Sequence, residues 1–382
     1  MKKKTEVYTV WEELDRLCER AVENYLVPSA AVAVGDGNGV YYKKAFGYSR
    51  VIMNEDRPDG VFHGPIPENA VKATTDTVYD MASLSKLLST TMVVLRLVEE
   101  GEMTLADTVG RYFPDAPEDK RDISVKQLMT HCSGITAHFN LESECAKGFD
   151  IPHAVLNYPL KYKTETKVEY TCMGYILLAK MAEVCTGKRL DALADELVFG
   201  PLGMKRTGYC PSENPRFDGA DIATEEWSPR IERYIHGVVH DENARWSGGV
   251  SGNAGVFSCL DDLCRFGTML SRHGEFDGRF LSPRTFELAI TDHTPYGPEH
   301  RGLGFQLTNG GYSATGDLFA PNSYGHNGFT GTSLYCDRQT GMYVILLTNR
   351  VHYTRQNDGL YRFRRTLHNA ATACYPRMII QH

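Results

Sequence analysis

Apolar residues recur at helical spacing near the start of the chain. Trp11, Leu14, Leu17, Cys18, Ala21 and Val22 predict an amphipathic helix over residues 9–25, with Thr9 and Glu12 as a capping box. The period then changes. Residues 30–34 and 40–46 flank the turn Gly35-Asp36-Gly37-Asn38-Gly39 and read as two strands. Residues 51–72 are polar and rich in turn formers, which predicts a loop. From Ser83 the pattern is helical again. Leu87, Leu88, Val93, Val94, Leu97 and Val98 form a wide apolar face that Gly101 ends. Thr104 with Asp107, and Ser124 with Gln127, read as further helix starts. A helix is expected from Thr171 to Gly187, with Leu177, Leu178, Met181, Val184 and Cys185 on its apolar side.

Residues 205–258 are rich in glycine, proline and charge, and no periodicity assigns regular structure there. A short helix follows over 261–272. Residues 332–336 and 342–347 predict a hairpin around Asp337-Arg338-Gln339-Thr340-Gly341, and a last helix runs over about 357–375. Strands thus occupy both ends of the chain and helices its middle. The economical architecture is α+β: an antiparallel sheet from both chain ends flanked by the terminal helices, with a mostly helical lobe inserted. The implied division is an α/β lobe from 1–80 and 285–382, a mainly helical lobe from 81–284, and an active site in the cleft between them. No internal repeat or low-complexity tract appears.

Composition narrows the partners. With 382 residues, 42% hydrophobic and 23% charged, the chain has enough apolar residues for a sizeable core. Its net charge of -7 and the lack of a basic stripe argue against nucleic acid. Lys2-Lys3-Lys4 is followed by Thr5-Glu6 rather than an apolar stretch, so it does not read as a signal peptide, and no segment reaches the length of a membrane span. The ten cysteines are scattered, without a C-x-x-C pair or zinc-ligand spacing. Free thiols in a reducing cytoplasm are the expectation, with no metal and no other cofactor.

Chemistry enters at Ser83-Leu84-Ser85-Lys86. The chain holds no G-x-S-x-G elbow, no Walker A loop and no H-E-x-x-H. Residues three apart on a helix share a face, so Ser83 opening the helix lies beside the Lys86 amine. A serine hydroxyl needs a neighbour to take its proton, and a lysine in an apolar site can lose its charge and help. The helix N-terminus adds free N–H groups near a developing oxyanion. The spacing alone also fits a helix-capping serine followed by a surface lysine.

Other segments, in order, make the motif specific. Met81-Ala82-Ser83-Leu84-Ser85-Lys86 and Leu128-Met129-Thr130-His131-Cys132-Ser133-Gly134 resemble the serine β-lactamase and penicillin-binding-protein superfamily, in its branch of esterases, D-amino-acid peptidases and low-molecular-weight carboxypeptidases. The resemblance extends to residues 27–34, to the central stretches 240–244, 248–250 and 254–258, and to Gly325-His326-Asn327-Gly328-Phe329-Thr330-Gly331-Thr332. It implies Ser83 as nucleophile, Lys86 as its proton-transfer partner and Tyr170 as second acid and base. It also implies an oxyanion hole from the backbone N–H groups of Ser83 and Phe329.

Two positions depart from the family. Cys172 stands where Asn or Asp is usual, and a thiol hydrogen-bonds a substrate amide weakly. His326-Asn327-Gly328 stands where Lys-Thr-Gly is usual, and a histidine is mostly neutral at pH 7. Gly328 is expected to let substrate approach the strand. Cys172, His326, Asn327 and Gly328 therefore line the expected substrate site, with His240 and Asn253 as pocket-wall contacts. His131 reads as a turn-holding residue. Weakened carboxylate and amide recognition leans towards esters or small amides, ahead of D-amino-acid peptides, muropeptides or β-lactams. The change at Cys172 also leaves open a protein of another class, a catalytically weak member that binds an acyl ligand as a sensor.

Overall fold

The computed structural model describes residues 11–51, 66–295, 299–309 and 313–375. The Thr9 cap and most of the loop expected at 51–72 lie outside them. The chain opens with strands β1 (Ser29–Asp36), β2 (Gly39–Arg50) and β3 (Val71–Lys72). Short strands β4 (Tyr79–Asp80), β5 (Gly208–Tyr209) and β6 (Val256–Ser258) follow. The last four are β7 (Gln306–Leu307), β8 (Tyr324–Asn327), β9 (Ser333–Cys336) and β10 (Tyr343–Leu347). Seven of them form one sheet in the order β3-β2-β1-β10-β9-β8-β7. The pairing of β1 with β10, Ala31 opposite Leu347 and Ala33 opposite Ile345, joins the two ends of the chain.

Every residue of β1 and β10 is buried, which a strand achieves only when both sheet faces are covered. The strand period divides them. Ala30, Val32, Val34, Val344 and Leu346 pack against helices α1 (Glu12–Glu23) and, at the far end of the chain, the last helix (Gly359–Cys374). Ala31, Ala33, Ile345 and Leu347 face the main core on the opposite side. The remaining helices that matter for the site are α2 (Met92–Glu99), α3 (Val125–Met129), α4 (Cys172–Thr186), α5 (Glu242–Trp246) and α6 (Leu260–Ser271), so the last helix is α7. α6 falls in the stretch expected as the helical lobe, yet it packs on β1 and β10.

Three helix signals meet different fates. Ser124 Oγ accepts the Gln127 N–H while Gln127 Oε1 accepts the Ser124 N–H, the capping box expected for α3. Thr104 and Asp107 exchange the same kinds of bond but close only a turn, and the next helix begins at Val109. The first helix starts at Glu12, after Trp11. α4 is capped by Thr171 Oγ1 and ended by Gly187 at φ 70°. Leu177, Leu178 and Met181 are buried there, whereas Val184 points outward and is exposed, because α4 is apolar nearly all round and its pattern does not mark one face. The unassigned stretch 205–258 supplies β5, β6 and α5. β4, β6 and β5 form a second sheet that carries the chain straight into Ser83.

Candidate active site

Ser83 sits in a single 3-10 turn, Ala82–Leu84, rather than at the start of a regular α-helix. A wider π-type stretch, Lys86–Thr91, follows before α2, and all six of its residues are buried. Such widened turns re-aim side chains and cluster at functional sites. Here the result is a contact: Lys86 Nζ donates to Ser83 Oγ at 3.1 Å. The first bond of the turn runs from the Leu84 N–H to the Met81 carbonyl, so the Ser83 N–H precedes the ladder.

Lys86 is completely buried and donates also to the Asn253 carbonyl at 2.9 Å and to Cys172 Sγ at 3.5 Å. Its ammonium lies 4.8 Å from the centre of the Tyr170 ring. Burial alone pushes Lys86 towards the neutral amine. Its neighbours Cys172 and Tyr170 outweigh that push, so the lysine is held above its ordinary pKa. The expectation of a readily neutral lysine is thus corrected by its partners. Tyr170 Oη is buried without a hydrogen bond of normal geometry, yet Ser83 and Lys86 both approach it closely enough to lower its pKa. Burial outweighs them and raises the Tyr170 pKa. Lys86 and Tyr170 therefore titrate as one unit. Tyr170 owes its place to His131, whose Nδ1 accepts the Thr171 N–H at 3.1 Å and whose ring lies 4.7 Å from that of Tyr170. His131 thus holds the distant Tyr170–Thr171 segment rather than the turn after its own helix.

Ser83 and Tyr170 line a cavity of about 330 Å³ together with His326, Asn327, Gly328 and Phe329. His326 is buried, and its pKa falls to about 3 through burial and the charges of Arg301 and Lys86. Its Nδ1 pairs with the Asn327 carbonyl at 2.8 Å, so the neutral ring carries its proton there and leaves Nε2 as an acceptor without a partner. Asn327 Nδ2 donates to Tyr335 Oη at 2.8 Å and Gln306 Oε1 at 3.1 Å, and its Oδ1 is unpartnered.

Gly328 lines the cavity and has a second task, and three other expected contacts are corrected. A Cβ at Gly328 would collide with the Met81 carbonyl and Thr332 Oγ1, so this glycine first lets the strand close on the nucleophile turn. Cys172 is half-buried and turned to Lys86. Asn253 meets Lys86 through its carbonyl, while its side chain accepts from Ser251 Oγ at 2.7 Å. His240 is buried behind Phe329, its ring stacked on that of Phe329 at 5.7 Å and its Nε2 bonded to Glu226 at 2.7 Å. None of the latter three lines the cavity.

One residue was not foreseen. Arg301 lines the same cavity with a side chain only 5% exposed. Its guanidinium stands 5.6 Å from the Tyr170 ring centre, one end pairs with Glu299 at 2.6 Å, and its buried Nε has no partner. No motif marks it, because the arginine comes from the irregular stretch just before β7. Among the described residues no Asp or Glu lines the cavity, whereas Arg301, Arg350 and Arg364 do. Among the described residues no group of three or more metal-ligating side chains converges.

The chain is similar to several known proteins. A protein of Escherichia coli (strain K12) described as "Putative D-alanyl-D-alanine carboxypeptidase" is 30% identical over 354 residues, covering 85% of this chain and 79% of its own. Simvastatin synthase (LovD) from Aspergillus terreus, 20% identical, superposes with a TM-score of 0.73 over 97% of this chain and 99% of its own. EstCE1, described as a hydrolase with promiscuous acyltransferase activity, is 18% identical with a TM-score of 0.73, covering 95% and 98%. These two show a shared fold. The family profile named Beta-lactamase matches residues 14–368, nearly the whole described chain, and the protein belongs to that family of serine hydrolases.

Proposed function

We propose that the protein cleaves an amide or ester through an acyl-enzyme on Ser83, and that the leaving group carries a carboxylate, as a C-terminal amino acid does. Ser83 Oγ attacks the carbonyl carbon, and its proton passes to the Lys86–Tyr170 unit. Lysine amine with phenol and lysine ammonium with phenolate differ only in where one proton lies, so either form accepts it. The oxyanion faces the N–H groups of Ser83 and Phe329. Collapse expels the leaving group, which takes the proton back. Water then attacks the acyl-enzyme by the same route and releases the acid.

The observation that carries the substrate class is Arg301. The lean towards an uncharged ester rests on the missing lysine at position 326, and Arg301 supplies a buried cation in the same cavity. The unpartnered His326 Nε2 accepts from a donor such as an amide N–H, which an ester lacks. The name of the Escherichia coli relative points the same way. A second reading, hydrolysis of uncharged esters, keeps the support of Cys172 in place of an amide side chain.

A substrate panel separates them. Turnover of a peptide ending in D-Ala-D-Ala, lost when its terminal carboxylate is amidated, supports the first reading. Equal rates for p-nitrophenyl acetate and no peptide cleavage would replace it with the second. Labelling of Ser83 by a fluorophosphonate without turnover of any substrate would favour an acyl-binding sensor.

A further inference from the structure

Asp80 takes no part in the chemistry above, yet three walls of the site meet on it. Its side chain is completely buried. One carboxylate oxygen accepts the Ala82 N–H at 2.7 Å, and the other accepts the His240 N–H at 2.7 Å. Its backbone carbonyl accepts the Thr330 hydroxyl at 2.8 Å, and the next carbonyl, of Met81, accepts the Thr332 hydroxyl at 3.1 Å. Ala82 has φ 44°, a left-handed conformation that a residue with a Cβ seldom adopts without support. Bonds from N–H groups to a carboxylate are short and strong, and these supply that support.

We propose that Asp80 is the positioning residue that sets the spacing of the two oxyanion donors, the Ser83 and Phe329 N–H groups. This rests on reading Ser83 as the nucleophile. Ala82, held by the carboxylate, immediately precedes Ser83. Thr330, held by the carbonyl, immediately follows Phe329. The third tie, His240, stacks on the Phe329 ring from behind and is itself fixed by Glu226. A displacement at Asp80 therefore reaches both donors. Phe329 needs such bracing, since its side chain is 45% exposed and its N–H makes no hydrogen bond among the described residues. Glu225 is buried near Asp80 and both its carboxyl oxygens lack partners. Burial and the Asp80 charge push its pKa well above the usual carboxylate range, and neither of the two N–H groups bonds to it.

The test uses Asp80→Asn, Thr330→Val and Thr330→Ser. Asparagine keeps the shape but turns an amide N–H₂ towards one of the two N–H groups. Valine removes only the hydroxyl that reaches Asp80, and serine keeps it. Sites are counted by end-point fluorophosphonate titration, and kcat and KM for p-nitrophenyl acetate are expressed per titrated site. The expected result for Asp80→Asn and Thr330→Val is a fall in kcat per site of about 100-fold, as for loss of one oxyanion donor. KM should stay within about two-fold, and Thr330→Ser should recover most of kcat. A purely structural role would lower the melting temperature and the number of sites but leave kcat per site unchanged, and that outcome overturns the proposal. So does equal behaviour of Thr330→Val and Thr330→Ser, which decides the matter if Asp80→Asn fails to fold. If Ser83→Ala labels and turns over like the parent, the nucleophile reading fails and this inference falls with it. Unchanged kcat per site with Ser83-dependent labelling removes this inference alone.

Discussion

Truncating Arg301 to alanine removes a guanidinium that reaches the cavity and leaves the Ser83–Lys86 contact untouched. A hydrogen bond to a charged group contributes about 1.5–3 kcal/mol. Two structural facts set where Arg301 falls in that range. Its side chain is only 5% exposed, which limits solvent screening, but one end is already paired with Glu299, whose side chain is 47% exposed and spreads the charge towards solvent. A value near 2 kcal/mol follows, or roughly 30-fold in kcat/KM at 1.4 kcal/mol per decade. The substrate pair isolates the effect. A peptide with a free terminal carboxylate and its C-terminal amide are each measured on parent and Arg301→Ala. The acid should lose roughly 30-fold and the amide less than about three-fold, since the amide offers no anion to recognise. Arg301→Lys should retain part of the preference, because the charge remains while the planar fork is lost. Equal losses on acid and amide would refute carboxylate recognition and assign Arg301 to packing against Tyr170.

Three further outcomes follow from the site and its frame. Lys86 and Tyr170 are both held above ordinary pKa values that already lie at about 10, so their unit gives up its proton only in alkaline solution and kcat/KM should still be climbing with pH at about pH 9, without a plateau. His326, with its pKa lowered to about 3, adds no acidic limb between pH 5 and 7, and an inflection near 6.5 that disappears in His326→Gln would contradict this. Cys172→Asn should alter kcat while KM for peptide substrates stays within about two-fold, because Cys172 faces Lys86 Nζ at 3.5 Å and does not line the cavity; a several-fold fall in KM alone would contradict this. Ser124→Ala removes the Oγ acceptor of the Gln127 N–H, leaves the backbone half of the α3 capping box, and should cost about 1 kcal/mol in urea unfolding with no change in kcat; an unaltered midpoint would show the cap to be incidental.

What the sequence discloses depends on how local the cause is. β1 and β10 are legible because a buried central strand must be apolar without a break, and Val32–Val34 and Val344–Leu347 are. α4 is legible at both ends, since Thr171 and Gly187 act on their own neighbours. Thr104 and Asp107 show the limit: the same side-chain bonds close a turn when the apolar face behind them is too short to be packed as a helix. β5 and β6 are two and three residues long and exist only through each other and β4, so nothing in 205–258 announces them. The Ser83, Lys86, Tyr170 and His326 group is legible as a motif set. Arg301 and Asp80 are not, because the groups that give them a role, Tyr170 for Arg301 and His240 and Thr330 for Asp80, lie far away along the chain. His240 and Asn253 are found in the right neighbourhood with the wrong task, one bracing Phe329 and the other holding Lys86.

The measurement closest to the central claim is where a trapped acyl or phosphonyl group resides. After brief exposure to p-nitrophenyl acetate or a fluorophosphonate, the intact mass should rise by one group. Proteolytic mapping should place it on the peptide containing Ser83, and Ser83→Ala should stay unmodified. A single adduct on Cys172 or elsewhere, persisting in Ser83→Ala, would contradict the account.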